Sequence, residues 1–137
     1  MNVKSVIKRC LGLDGYALQN FADENYKKVR DYMENSGVGA DADCILNATI
    51  FTCVAIDGKL SNAEYDFIAG FIGGFSREEI LQLAGDFYTN EAQETTRMLV
   101  KALPREIRQA YISLCAAVLA VDKRVDGAEM DYLKSLL

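Results

Sequence analysis

Apolar residues recur at helical spacing along nearly the whole chain, and the alternation that marks strands is almost absent. Val3, Val6, Ile7, Cys10 and Leu11 fall on one helical face, and Gly12 closes that segment. Residues 16–34 read as one or two helices with Lys27, Lys28, Arg30 and Asp31 turned outward. Ser36, Gly37 and Gly39 then break the pattern. Asp41 is placed to cap a helix running to about Ile56. That segment is apolar almost all round (Ile45, Leu46, Ala48, Ile50, Phe51, Cys53, Val54, Ala55), as a helix in the middle of a bundle must be. A second stretch of the same kind follows Pro104 and reaches about Val121, with the proline expected at a first-turn position.

Capping signals divide the rest. Ser61 opens a helix that ends near Gly73-Gly74. Ser76 and Glu79 form a capping box, with Phe75 and Ile80 as its hydrophobic staple. Asn90 starts a helix carrying Met98, Leu99 and Leu103, and a last short helix begins at Asp126. These elements predict an all-α fold: one bundle of seven to eight helices with two pseudo-symmetric helix–acidic loop–helix repeats around two buried central helices. The expected organisation is a helical extension at 1–39, repeat one at 40–75, connecting helices at 76–104 and repeat two at 105–137.

The repeat rests on a direct match. Residues 55–68 read A-I-D-G-K-L-S-N-A-E-Y-D-F-I, and residues 120–133 read A-V-D-K-R-V-D-G-A-E-M-D-Y-L. At an offset of 65, Ala55, Asp57, Ala63, Glu64 and Asp66 pair with identical Ala120, Asp122, Ala128, Glu129 and Asp131, and the apolar positions pair with similar residues. Duplication of one unit explains this better than shared helicity.

Each loop has an Asp at the end of an apolar helix and a Glu seven residues later. Glu64 and Glu129 are explained by local structure, as the third helical residue of a capping box led by Ser61 or Asp126. Leu60 with Tyr65, and Val125 with Met130, supply the staples. Asp57 and Asp122 fit that reading less well, because a carboxylate beside a helix C-terminus opposes the macrodipole at a cost of roughly 0.3–1 kcal/mol. Lys59, or Lys123 with Arg124, could offset it, and so could a bound cation. Asp-Gly is also a common turn pair. Residues 57–64 resemble the last eight positions of a calcium-binding loop, but Cys53 and Ala55 stand where the first oxygen ligands belong, so a standalone EF-hand site is not expected. Four carboxylates from adjacent loops, Asp57, Glu64, Asp122 and Glu129, form the candidate metal set. The candidate ion is a divalent cation such as calcium, and no other cofactor is expected.

Composition narrows the function classes. The 137-residue chain is half hydrophobic, enough for one core. Its formal net charge of −5 argues against nucleic acid as a partner. It has no His, which removes imidazole-based triads, proton shuttles and zinc sites. Cys10, Cys44, Cys53 and Cys115 lie in apolar stretches with no C-x-x-C pair and read as small buried hydrophobes in a reducing compartment. Cys44 and Cys53 fall on opposite sides of one helix and cannot bridge. No signal peptide is apparent, and residues 110–121 are too short to span a bilayer, so a cytoplasmic location is expected. Paired acids without a nucleophile–base set are weak grounds for catalysis, and the protein is not expected to be an enzyme.

The A-x-D-G-x-x-S-x-x-E type unit, present as Ala55 to Glu64 and again as Ala120 to Glu129, resembles the tellurite-resistance TerB-like family over residues 40–137. The resemblance implies a helical bundle with paired acidic loops and a role as an interaction module in tellurite or general stress resistance, sometimes near membranes. The second copy departs from the family pattern at Lys123, where glycine is usual. The expected function is therefore a non-enzymatic binding or scaffold module with a protein partner. The alternative is a peripheral membrane adaptor that uses the amphipathic segment 1–11, with Lys4, Lys8 and Arg9 as its charges.

Overall fold

In the computed structural model, the described residues are 1–36, 46–47, 50–53, 56, 60–86 and 89–137. Among them the structure is all helical and contains no strand. In chain order the helices are α1 (Val3–Gly12), α2 (Gly15–Asn35), α3 (Asn62–Ala69), α4 (Arg77–Asp86), α5 (Asn90–Ala102), α6 (Arg105–Ala120) and α7 (Gly127–Ser135). Residues 46–47 and 50–53 are also helical. The expected cap at Asp41, and with it Cys44, Asp57 and Lys59, lies outside the described residues.

α6 is the axis. Every residue from Ala110 to Ala120 is buried, so this helix has no solvent face over three turns. α1, α2, α3, α5 and α7 all pack against it, α2 most extensively. Small residues (Ala110, Ala116, Ala117, Ala120) alternate with Tyr111, Ile112, Leu114 and Leu119, which lets neighbouring helices approach closely. Leu46, Ile50, Phe51 and Cys53 of the other apolar stretch are buried in the same core.

The N-terminal helices belong to that core. Val3, Ile7 and Cys10 of α1 and Leu18, Ala22 and Val29 of α2 are buried in it, while Lys27, Lys28, Arg30 and Asp31 face water as their spacing implies. The apolar face of α1 is thus already covered by protein. No helix among the described residues is long and apolar enough to cross a membrane. α2 is one continuous helix, capped by the Asp14 carboxylate, which accepts from the Ala17 amide at 2.7 Å. Gln19 of α2 reaches α3, its Nε2 donating to the Phe67 carbonyl at 3.2 Å. A Cβ at Gly70 would lie only 2.6 Å from that nitrogen, so this contact needs glycine.

Some boundaries differ from the pattern. α3 ends at Ala69 rather than near Gly73, because the amides of Gly70 and Phe71 bond three residues back and tighten the last turn. This turns Phe71 toward Tyr26 and Phe67, with ring centroids 5.4 and 5.8 Å apart. α5 starts at Asn90 as expected, with Thr89 as its cap, whereas Pro104 is the N-cap of α6 rather than its first helical residue. On α5 the buried positions are Thr96 and Val100, while Met98 is 66 % exposed. The Ser76–Glu79 box forms as expected, with reciprocal bonds of 3.0 and 3.1 Å.

Because Leu114 lies fully inside and Met98 largely outside, truncation should separate them. Leu114→Ala should cost about 2–5 kcal/mol, and Met98→Ala should stay within about 0.5 kcal/mol of the parent. Urea unfolding monitored by circular dichroism measures both.

Candidate functional site

The loops that precede α3 and α7 face one another. Ser61, the N-cap of α3, accepts from the Glu64 amide at 3.0 Å, and its hydroxyl donates to Asp122 Oδ1 at 3.0 Å. One hydroxyl thus uses its acceptor within its own loop and its donor across to the other, 61 residues away. Glu64 closes the capping box by accepting from the Ser61 amide at 3.2 Å. Asp126 and Glu129 repeat the box on α7, with bonds of 2.8 and 3.4 Å.

Between the loops is a cleft of about 640 Å³ lined by Glu64, Asp122, Asp126 and Glu129 together with Arg124. Leu60, Leu119 and Val125 supply its apolar wall. Of the expected set, Glu64, Asp122 and Glu129 therefore line one space, and Asp57 lies outside the described residues. Among the described residues no cluster of three or more carboxylates or thiols has metal-holding geometry. Glu64 and Glu129 each commit an oxygen to a backbone amide, and Asp122 is held by Ser61.

The glutamates are buried despite their charge, at 6 % exposure for Glu64 and 8 % for Glu129. Burial pushes the Glu64 carboxyl up to about 7 from an ordinary 4.5, and hydrogen bonding to Asp122 and the charge on that carboxylate push the same way. Hydrogen bonding with Ser61, chiefly from its amide, opposes the rise only in part. Glu64 thus holds its proton to near neutrality beside the Asp122 carboxylate.

The Asp122 puzzle posed by the macrodipole is answered here, since the Ser61 hydroxyl compensates that carboxylate. Lys123 does not. Its Nζ turns away and donates to the Leu13 carbonyl at 2.7 Å, tying the loop to the α1–α2 junction. Its backbone has φ of +65°, the left-handed conformation that glycine adopts freely. The lysine at this glycine-like position thus keeps the glycine conformation and offsets part of the strain with a distant bond. Arg77 of α4 braces the first loop by donating to the Leu60 carbonyl and Asn62 Oδ1. Neither Arg77 nor the Ser61 bridge has a sequence signature, because both depend on long-range placement.

Behind the cleft, Cys53 and Cys115 meet in the core. Hydrogen bonding with Cys115, burial and the nearby Glu129 charge hold the Cys53 thiol well above its ordinary value. Cys10, Cys53 and Cys115 are free and buried, as their apolar settings suggest.

Two outcomes follow from this geometry. The native Glu64 holds a proton that the unfolded chain releases between pH 4.5 and about 7. Its contribution to stability is therefore greatest in acid and is lost as pH rises through about 7. Glu64→Gln should flatten that part of the stability–pH profile, and Asp122→Asn should lower the Glu64 titration midpoint, read by carboxyl NMR. At Lys123, alanine loses the Leu13 bond and keeps the strain, whereas glycine loses the bond and relieves the strain. Lys123→Ala should be less stable than Lys123→Gly by about 1 kcal/mol in thermal unfolding.

Compared with known proteins, the chain matches no family model, no curated protein and no solved structure.

Proposed function

We propose that this protein is a non-enzymatic binding module whose two acidic loops, descended from one duplicated unit, take a cationic group between them. The observation that carries this reading is the convergence of Glu64, Asp122, Asp126 and Glu129 on one cleft, with the loops joined by the Ser61–Asp122 bond. Among the described residues, four carboxyl groups and one guanidinium, that of Arg124, line the cleft, a balance that favours a positive guest.

A basic side chain of a protein partner fits better than a bare metal ion. The space is large, and the wall of Leu60, Leu119 and Val125 suits the alkyl stem of a lysine while the carboxylates meet its head. The glutamate oxygens already engaged in caps are poorly placed to gather round a small ion. A divalent cation such as calcium, held by Glu64, Asp122 and Glu129 with Asp57, is the second form of the same reading. The resemblance of residues 40–137 to the TerB-like family supports an interaction role in stress resistance.

The test is an NMR titration of the ¹⁵N-labelled protein with a tetralysine peptide and, separately, with calcium chloride. Tetralysine should shift the amides of Ser61, Glu64, Asp122 and Glu129, and Asp122→Asn should weaken its binding about tenfold. Shifts produced by calcium alone would move the reading to its metal form. Silence of those amides toward both probes would refute it.

A further inference from the structure

The core uses one face of α5 and leaves the other open. Thr96 and Val100 are the buried positions of this helix. The opposite face carries Glu91, Glu94, Thr95, Met98, Lys101 and Ala102, spaced three and four apart and all exposed. Met98 stands in the middle of that face and is 66 % exposed, with Leu99 on its flank at 44 %. Among the described residues with large exposed apolar side chains, these two are the ones that share a turn of helix. A single exposed apolar residue is ordinary on a protein surface. Here an apolar centre with smaller neighbours, Thr95 and Ala102, is set between charges of opposite sign.

Those charges are ordered along the helix. Glu91 is in the first turn of α5 and Lys101 in the last. Glu94 pairs with Arg97 of its own helix at 3.5 Å, and its side chain remains 67 % exposed. Among the described residues no ion pair engages Glu91 or Lys101. Acid first and base last suits the macrodipole of α5 itself. It also makes the face complementary to itself. Glu94 lies four residues before Met98 and Lys101 three residues after it. A twofold axis near Met98 therefore sets Glu94 of each copy against Lys101 of the other, and brings the apolar centres together. Antiparallel pairing opposes the two macrodipoles favourably as well, whereas parallel pairing would set like charges against each other along the whole helix.

We propose that this face of α5 is a self-association surface, on which a second copy of the chain docks its own α5 antiparallel, with Met98 at the twofold axis and Glu94 and Lys101 paired across it. Such a contact is isologous and closes at a dimer. α5 has 13 residues, a length of about 20 Å. One helix face from each copy buries less than the roughly 1,200 Å² of a standard interface. The dimer is accordingly weak, with a Kd on the order of 100 µM, and dissociates at low micromolar concentration. This surface does not depend on the function proposed for the acidic cleft.

Sedimentation velocity of the intact protein from about 10 µM to about 500 µM, a range that brackets that Kd, tests the assignment. The average mass should climb from the 15.2 kDa of one chain toward twice that value. Met98→Glu puts like charges at the axis and should weaken association at least about tenfold. Glu94→Lys and Lys101→Glu should each do the same, because each leaves like charges opposed. An equimolar mixture of those two variants should associate again, since each then meets opposite charges at both contacts. All three positions are exposed, so circular dichroism should be unchanged, and the charge variants keep the test open if Met98→Glu disturbs folding. A mass that stays at one chain over the whole range would overturn the proposal. So would association that persists unchanged in the variants, or charge variants that lose it and do not regain it when mixed.

Discussion

Eleven consecutive residues of α6, Ala110 to Ala120, are shielded from water on all sides, and this sets the terms for the rest of the chain. A helix buried all round cannot lie on a surface, so other elements must enclose it. α1, α2, α3, α5 and α7 do so, and each contributes only one apolar stripe. Asn25 and Ser113, two of the buried polar residues, both line one cleft.

The end of α6 creates the acidic site. A helix so deeply placed delivers its C-terminus, and Asp122 just beyond it, beside the loop that starts α3. A carboxylate in that position meets both the negative end of the helix and a neighbouring carboxyl, Glu64. The structure resolves the conflict in two ways. The Ser61 hydroxyl bridges to Asp122, and Glu64 holds its proton up to about pH 7. The capping box serves the fold and the site at once, since the bonds that start α3 also hold Glu64 in the cleft.

Much of this was legible in the residues. The capping boxes at Ser61, Ser76 and Asp126 are local, each spanning four residues, and the sequence pattern identifies all three. The wholly apolar stretch after Pro104 places a central helix without reference to anything distant. Less legible were the ends of helices. α3 stops at Ala69 because Phe71 turns in toward Tyr26, and no local signal announces a ring contact with a helix 45 residues away. Lys123 was misleading in isolation. It reads as a charge available to Asp122, yet its ammonium bonds Leu13, and the glycine-like backbone at that point emerges only from the turn it must make.

The sequence by itself determined the helical class, the buried axis and the caps, because those follow from periodicity and from hydrogen bonds closed within one turn. It also marked Glu64, Asp122 and Glu129 as related positions, through the matching loops. Only the tertiary structure decided that these residues share a cleft, that Ser61 links the loops, and that Asn25 and Ser113 lie under a second opening. Each of those depends on which faces of distant helices meet. Helical periodicity says which face of each helix is buried, but it is silent on the neighbour that covers it.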